Sequence, residues 1–303
     1  MRKADYLGSI HAFVMTAQLG SFTAAANRLE LTKSAVAKSV NRLEEKIGVK
    51  LFQRSTRKLS LTPDGEIFFN SCNNALETIQ EAETILTSHT QKPSGRLRVD
   101  LPAAFGRQRI LPLLLKLAHE YPELELTITF SERFVDLIEE GIDLVIRIGE
   151  LSDSSGLVAR RLTTQKLVIC ASPDYIQKNG EPEIPDDLNL HNCVVGYRRN
   201  QMISWILKEI DGTIRRFTPR TTYELGDGDA MLTAVLAGCG FSQLPLWLVS
   251  KHLENGSLLE VLKGHSGGEM PISAIWPKSR QLMPKIRKVI DTIVTAANDG
   301  LLN

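Results

Sequence analysis

The sequence of 303 residues has no apolar run long enough to cross a membrane, since a spanning helix needs about 20 consecutive, mostly apolar residues. The first six residues include no apolar stretch of the kind that a secretory signal peptide requires. The sequence has four cysteines, and they form no CxxC pair: Cys72, Cys170, Cys193 and Cys239. We therefore expect no disulfide framework, no metal and no cofactor in a cytoplasmic protein.

Catalytic motifs are absent as well. The six histidines are scattered, and none belongs to an HExxH motif or to a nucleophile motif with serine or cysteine. The sequence has no GxGxxG segment and no phosphate-binding P-loop, and its glycine-rich segment Gly264–Gly268 is typical of a flexible turn. We predict that the chain has no catalytic residues and is not an enzyme.

The charges are nearly balanced, but they are unevenly distributed. The whole chain carries a net charge of +1. Its first 65 residues contain eleven lysines and arginines against five acidic residues, a net charge of +6, which leaves −5 for the remainder. A basic amino-terminal segment on a mildly acidic body indicates that one small domain binds a polyanion while the rest has another task.

Residues 21–61 have the pattern of a helix-turn-helix followed by a hairpin. Ser21 and Thr32 stand where N-caps are expected, and Gly48 is placed to end the second helix in a left-handed conformation. Two short strands, Val49–Phe52 and Leu59–Leu61, would enclose a basic tip. The second helix buries one apolar side and presents short or basic side chains on the other, which suits a helix in the major groove of DNA.

We predict that this segment binds duplex DNA. The predicted contacts are Ser21, Thr23, Thr32, Lys33, Ser34, Lys38, Asn41, Arg42, Arg54, Thr56, Arg57 and Lys58. The alternative is a small basic helical bundle whose charges are only solvated.

Residues 62–91 predict one long helix, with Thr62 as its cap and Pro63 at its first position. Six residues recur with the spacing of a heptad seam: Phe68, Cys72, Ala75, Ile79, Ala82 and Leu86. A narrow apolar stripe of this kind is the signature of a helix that pairs with a second copy. The alternative is a helix that packs on the core of its own domain.

From residue 92 onward, strands and helices alternate, which predicts a parallel sheet with crossover helices. The pattern indicates a short helix over Val135–Glu140 and a helix start at Trp205–Lys208. The chain leaves a first lobe near Thr163 and returns near Pro271. Lobe I would then comprise about residues 96–163 and 271–303, and lobe II about residues 164–270. We expect a ligand cleft between the lobes at the carboxyl ends of the strands.

Several segments carry a family resemblance. In the first part of the chain they are Gly20–Ala26, Ser34–Val36, Leu43–Glu45, Gly48–Val49, Leu51–Arg54 and Leu61–Gly65. In the body they are Pro122–Leu124, Val135–Leu137, Glu140–Gly149, Leu157–Arg160, Ala237–Phe241 and Leu244–Pro245. On these segments nearly the whole chain resembles the LysR-type transcriptional regulators.

The resemblance implies an α/β protein in three parts. They are an N-terminal winged helix-turn-helix (residues 1–61), a long linker and dimerisation helix (62–91), and a two-lobed, periplasmic-binding-protein-like effector domain (92–303). It also implies a homotetramer built as a dimer of dimers, and a small, anionic organic effector as a second partner beside double-stranded DNA.

The residues expected at the effector site lie at the predicted strand ends: Ala103, Ala104, Phe105, Ser131, Arg133, Arg147, Gly149, Tyr197, Arg198, Gly226, Asp227 and Phe241. In the family the first of these loops often offers hydroxyls, whereas here it offers none, although backbone N–H groups at the next helix start can bind an anion. Arg147 is the leading partner for an effector carboxylate. The alternative is that it pairs with a structural acid, Asp143 or Asp227.

Two other functions stay open at this point. The first is a DNA-binding repressor whose body binds no ligand, which the lack of hydroxyls in the first loop keeps open. The second is a solute-binding protein on the same two-lobed fold, against which the basic head and the missing signal peptide argue.

Overall fold

The computed structural model describes residues 3–54, 59–87, 92–133, 135–151, 155–197, 204–209, 211–266, 268–280 and 283–302. The chain forms two compact units, Met1–His89 and Thr90–Asn303. Each unit has its own hydrophobic core, and each is described by itself. No helix that the structure describes combines the length and apolarity that crossing a membrane requires.

Among its described residues, the first unit contains four helices and a hairpin: α1 (Lys3–Leu19), α2 (Phe22–Arg28), α3 (Lys33–Ile47), β1 (Phe52–Arg54), β2 (Leu59–Leu61) and α4 (Pro63–Thr87). Helix α1 is an addition to the predicted elements. Its Phe13 is fully buried, and the Phe13 ring lies 5.4 Å from that of Phe52 and 5.6 Å from that of Phe68. These aromatic contacts join α1, the hairpin and α4 in one core.

Local hydrogen bonds place the helix ends where the sequence predicts them. The Ser21 hydroxyl accepts from the N–H of Ala24, and the Thr32 hydroxyl accepts from the N–H of Ala35. Gly48 ends α3 with φ of +83°, a conformation that favours glycine. Both predicted N-caps and the predicted stop are confirmed.

The sequence predicted that the first strand of the hairpin begins at Val49. In the structure this strand begins at Phe52. The carboxylate of Glu44 accepts from the N–H groups of Leu51 at 2.9 Å and Phe52 at 3.3 Å, and it lies 2.7 Å from Lys50 Nζ. The segment that enters the hairpin is therefore held by a side chain of α3 and not by a partner strand. Glu44 is 3% exposed, so it anchors the wing to the second helix of the helix-turn-helix.

Only part of the predicted heptad seam is free to pair. Phe68 and Cys72 pack in the core of the first unit, so the alternative of a core helix is correct for them. Ala75 and Ile79 are exposed, Ile79 by 45%. The side chains of Ala82 and Leu86 lie outside the described residues. The first part of α4 packs in the core because it buries the large apolar side chains of α1, which would otherwise be exposed to water.

We predict that Glu44→Gln destabilises the protein, because it replaces an ionised acceptor of three hydrogen bonds by a neutral amide. Burial raises the pKa of Glu44, but the hydrogen bonds from Lys50, Leu51 and Phe52 outweigh this and leave the pKa below its ordinary value of 4.5. The stabilisation is therefore fully present above pH 4.5 and is lost as the pH falls through the lowered pKa. At pH 7 we expect a loss of about 1–3 kcal/mol.

The measurement is urea denaturation of the full chain at pH 7 and at pH 4. Glu45→Gln is the matched control, because Glu45 is the exposed neighbour on the same helix. Equal stabilities of the Glu44 and Glu45 variants at pH 7 would contradict the anchoring role of Glu44.

The second unit contains the elements β3 (Gly95–Leu101), α5 (Ala103–Phe105), α6 (Leu111–Glu120), β4 (Leu124–Phe130), β5 (Leu144–Ile148), β6 (Leu157–Ala171), α7 (Pro173–Asn179), β7 (Cys193–Gly196), β8 (Trp205–Lys208), β9 (Ile214–Phe217), β10 (Thr221–Leu225), α8 (Gly228–Leu236), β11 (Ser242–Pro245), α9 (Leu246–Glu254), β12 (Leu259–Val261), β13 (Gly268–Pro277) and α10 (Pro284–Asn298). One π-helical turn, Gly106–Ile110, joins α5 to α6.

A mixed sheet forms the centre of this unit, with the strand order β4-β3-β5-β13-β6-β11, and β12 also pairs with β6. The predicted parallel pairing is correct for β3 with β4 and β5. The pairing is antiparallel where β13 meets β5 and β6, and where β6 meets β11 and β12. Strands β6 and β13 run through both lobes, and Thr163 and Pro271 both lie within them.

Two predicted helices are wrong. Residues Val135–Glu140 form hydrogen-bonded turns, in which the Asp136 carboxylate accepts from the N–H groups of Ile138 and Glu139. Such local bonds compete with helix formation. Residues Trp205–Lys208 form strand β8, which pairs antiparallel with β9. Trp205 and Leu207 both face the core, and this period of two is typical of a strand.

Candidate effector cavity and DNA-binding surface

The second unit encloses a cavity of about 300 Å³. Its apolar wall combines aliphatic side chains with aromatic and methionine side chains, among the latter Phe105, Trp205, Met231, Trp247 and Met270. Its polar groups come from several separate elements: Glu132, Gln165, Arg216, Asp227 and Gln243. A concave, mostly apolar pocket with a few polar groups is the usual form of a small-molecule site.

The structure brings five of the predicted effector residues to this cavity: Ala104, Phe105, Tyr197, Gly226 and Asp227. Arg198 lies outside the described residues. The other six are not among the lining residues: Ala103, Ser131, Arg133, Arg147, Gly149 and Phe241. Of these, Phe241 is fully buried in the core, and Ser131 donates to Asp100.

Arg147 forms a buried ion pair with Asp100. Its Nη1 and Nη2 atoms each lie 3.0 Å from Asp100 Oδ1. The two side chains are 13% and 3% exposed. Arg147 therefore pairs with a structural acid, which was the alternative to binding an effector. The acid is Asp100, and not Asp143 or Asp227.

The two acids that the sequence offers as partners of Arg147 each form an ion pair with a different arginine. Asp143 forms an ion pair with Arg280. Asp227 caps α8 by accepting from the N–H of Ala230, and it lies 3.5 Å from Arg107. Sequence distance gave no means of choosing among these acids, because each pair joins elements that are far apart in the chain.

We predict that Arg147→Ala destabilises the second unit by about 3–5 kcal/mol, because it leaves the buried Asp100 carboxylate without its cation. Arg147→Lys restores only part of this stability, because an ammonium group lacks the guanidinium fork. Arg133→Ala is the control: its ion pair with Glu140 is exposed, so stability stays nearly unchanged. Urea denaturation measures all three variants, and wild-type stability of Arg147→Ala would contradict the structural role.

The chain supplies its own carboxylate at the helix start where an anion was expected. Glu132 Oε1 accepts from the N–H of Ala103 at 3.0 Å, and Glu132 also lines the cavity. Asp227 lines the same cavity. Glu132 therefore already occupies the backbone N–H at the start of α5 that an effector carboxylate was expected to use.

Arg216 is the one cation among the described lining residues. It lies on β9 opposite Ile206, and its Nη1 donates to the Ser204 hydroxyl at 3.3 Å. Arg216 was not among the predicted effector residues, because the preceding segment was predicted as a helix start and not as the first strand of the β8–β9 hairpin. The alternation of burial over Trp205–Lys208 is visible only in the structure, because Trp205, Ile206 and Leu207 are all apolar in the sequence.

The surface of the first unit has the exposed basic face that a DNA-binding helix needs. Lys33, Ser34, Lys38 and Arg42 of α3 are exposed, and Asn41 is half-buried. Thr23 is exposed on α2, whereas the hydroxyls of Ser21 and Thr32 serve as helix caps. The backbone of Arg54 pairs with Leu59 in the hairpin. The side chain of Arg54 and the residues Thr56, Arg57 and Lys58 lie outside the described part.

Both units match one protein family. Residues 7–66 match the bacterial regulatory helix-turn-helix protein, lysR family, and residues 90–298 match the LysR substrate binding domain. The chain belongs to the LysR-type transcriptional regulators. This family is predicted by the sequence resemblance and is confirmed, as are the winged helix-turn-helix and the two-lobed body. The chain is a DNA-binding transcriptional regulator with a substrate-binding domain.

Relatives of similar length support the assignment of the whole chain. The HTH-type transcriptional regulator CrgA of Neisseria meningitidis is 32% identical over 290 residues, which cover 95% of this chain and 96% of CrgA. The HTH-type transcriptional activator AaeR of Escherichia coli K12 is 31% identical over 290 residues, which cover 95% and 93% of the two chains. These relatives are regulators of transcription.

Solved structures of the family share the fold. The structure of CrgA from Neisseria meningitidis matches with a TM-score of 0.60 at 31% identity, covering 96% of this chain and 98% of CrgA. The full-length structure of the Vibrio cholerae virulence activator AphB matches with a TM-score of 0.61, covering 95% and 98%. Since AphB is only 24% identical, it supports the fold alone.

In this LysR-type regulator a polar clasp joins the segment after β3 to the start of α8. Arg107 Nη2 lies 2.7 Å from Asp229 Oδ2, and Gln108 donates to Asp229 Oδ1 at 2.9 Å. The hydrogen bond that Arg107 donates to Asp229 raises the pKa of Arg107. Arg107 is 43% exposed, so the clasp contributes little to the stability of the fold.

Proposed function

We propose that this regulator senses a small organic acid whose carboxylate binds Arg216. The observation that carries the proposal is the polarity of the cavity. Arg216 supplies the positive group among the described lining residues, whereas Glu132 supplies a negative group at the start of α5. A guanidinium binds a carboxylate through charge-assisted hydrogen bonds, so a carboxylate is more stable beside Arg216 than at the start of α5.

The remaining lining residues define the body of the effector. Trp205, Trp247 and Phe105 offer aromatic surface, and Met231 and Met270 offer flexible apolar side chains. Gln243 is not available for the ligand, because its side chain already forms two hydrogen bonds with Ile206. Its amide oxygen accepts from the N–H of Ile206, and its amide nitrogen donates to the carbonyl of Ile206. An aromatic or branched apolar body therefore fits the cavity better than a strongly polar one.

The proposal predicts that Arg216→Ala loses the response to the effector. Organic acids that bind the wild-type chain raise its melting temperature, since a ligand stabilises the state that it binds. In Arg216→Ala we expect the affinity for the acid to fall about tenfold to a hundredfold. This factor corresponds to the free energy of one charge-assisted hydrogen bond. The measurement is thermal unfolding against a panel of aromatic and aliphatic carboxylic acids.

Arg215→Ala is the matched control, because Arg215 is adjacent on β9 and pairs with Glu209 away from the lining residues. Equal responses of the Arg215 and Arg216 variants would refute the role of Arg216. If no acid raises the melting temperature of the wild-type chain, a regulator without ligand control becomes the better description of this protein.

We also propose roles for the DNA-binding residues. Lys33, Ser34, Lys38 and Asn41 read the major groove, and the hairpin residues Arg54, Arg57 and Lys58 bind phosphates or the minor groove. The exposure of the α3 residues supports the first set. The net charge of the first 65 residues supports both sets.

The groove role predicts that Lys38→Ala weakens binding to the operator by about 1–3 kcal/mol, while binding to an unrelated duplex changes much less. The operator is first located in the DNA that flanks the gene, and fluorescence anisotropy then measures both affinities at two salt concentrations. Lys166→Ala is the control, since Lys166 is an exposed lysine of the second unit. An equal loss on both duplexes would assign Lys38 to phosphate binding instead.

The oligomeric state and the location belong to the same proposal. We infer that α4 pairs with the α4 of a second copy through its exposed part, where Ala75 and Ile79 lie. Paired heads can span two half-sites about 34 Å apart and bind more tightly than one head. We propose a dimer of dimers that acts in the cytoplasm, where bacterial DNA is found.

A further inference from the structure

The polar groups of the effector cavity differ in whether the protein itself uses them. The side chain of Gln243 is fully used by Ile206. Gln165, on β6, lines the same cavity and is 6% exposed. Its amide oxygen accepts from the indole N–H of Trp247 at 3.0 Å. An indole N–H can only donate, so this contact fixes which end of the Gln165 amide faces Trp247.

The amide nitrogen of Gln165 remains for a ligand. It has no acceptor among the residues that the structure describes, and it is not one of the unpaired side-chain atoms that are fully enclosed. A molecule in the cavity can therefore reach this nitrogen. A polar group that is so deeply buried normally has a partner. Since an amide nitrogen donates and does not accept, the partner must be a hydrogen-bond acceptor.

Trp247 is itself held on several sides, and this keeps the Gln165 amide in one orientation. The guanidinium carbon of Arg109 lies 5.6 Å from the centroid of the Trp247 ring, which is a cation–π contact. The ring of Phe105 lies at a centroid distance of 5.6 Å with 70° between the ring planes. Rotation of the indole would give up these contacts together with the hydrogen bond to Gln165. The donor of Gln165 is therefore oriented before a ligand arrives, which lowers the entropic cost of binding.

We propose that Gln165 is a specificity-determining residue of the effector cavity, and that it selects acids whose apolar body carries an acceptor oxygen. The inference rests on the proposed function, because it concerns the same cavity. Arg216 on β9 binds the carboxylate, whereas Gln165 on β6 donates to a second oxygen, such as that of a keto group. An acid without this oxygen leaves the buried donor of Gln165 unpaired and binds more weakly.

The first test compares acids that differ only in the acceptor oxygen. The pairs are meta- and para-acetylbenzoate and the corresponding isopropenylbenzoates, in which a methylene group replaces the keto oxygen. Titration calorimetry measures their affinities for the full-length chain. We expect the wild type to bind the acetyl member of at least one pair about tenfold more tightly. In Gln165→Glu we expect this ratio to fall to about one or below, because the substitution keeps an oxygen for the Trp247 N–H and replaces the amide donor by a second oxygen.

The ratio separates the acceptor contact from the added charge. Both members of a pair carry the same carboxylate, so repulsion by the introduced carboxylate weakens both and cancels in their ratio. Gln177→Glu is the matched control, since Gln177 is an exposed glutamine of α7 outside the cavity lining, and it leaves both affinities unchanged. A ratio in Gln165→Glu equal to that of the wild type overturns the proposal. Equal affinities of the wild type for both members of every pair overturn it too.

A neutral probe distinguishes this proposal from the role of Arg216. Acetophenone has the ring and the keto oxygen but no carboxylate, and ligand-observed NMR measures its affinity. We expect the wild type and Arg216→Ala to bind acetophenone equally, and Gln165→Glu to bind it about tenfold more weakly. Equal binding by the wild type and Gln165→Glu, or no binding by the wild type, overturns the assignment of Gln165 and leaves that of Arg216 untouched. The proposed function fails separately, if Arg216→Ala binds the acids as tightly as the wild type does.

Discussion

The backbone pairing of β6 with β13 is the interaction on which the body depends. Leu157–Leu167 pairs antiparallel with Gly268–Pro277, although the whole second lobe lies between these segments in the sequence. Closing so long a loop costs conformational entropy, and the ladder of hydrogen bonds must offset it. Strand β5 attaches to one side of the pair, and β11 and β12 attach to the other. The effector cavity takes residues from both of these strands, Gln165 and Leu167 from β6 and Met270 from β13.

The buried acids of the molecule are satisfied from within the chain, and this leaves few cations for ligands. Asp100 is paired with Arg147, Asp143 with Arg280, and Glu44 with Lys50 and two backbone N–H groups. Each of these carboxylates is costly to bury alone, so its partner cannot be released to an effector. Arg216, which lines the effector cavity, has no carboxylate partner among the described residues, and this supports its proposed role toward an effector.

The head shows how one helix serves two purposes. The first turns of α4 cover Phe13 of α1 and complete the core of the DNA-binding unit. Gly65 makes this possible, because a Cβ at that position would lie 2.1 Å from the carbonyl oxygen of Leu51. Further along α4, Ala75 and Ile79 are exposed. A continuous apolar stripe in the sequence is thus divided between an internal core and a surface that can pair.

Local features of this protein were determined by the sequence alone. The caps Ser21 and Thr32 and the stop at Gly48 could be predicted because they depend on residues within a helical turn. The family could be predicted because its motifs are contiguous. The tertiary structure alone decided which acid pairs with Arg147, that Glu132 fills the start of α5, and that Arg216 lines the effector cavity. Those outcomes depend on contacts between residues far apart in the chain, and no local pattern encodes them.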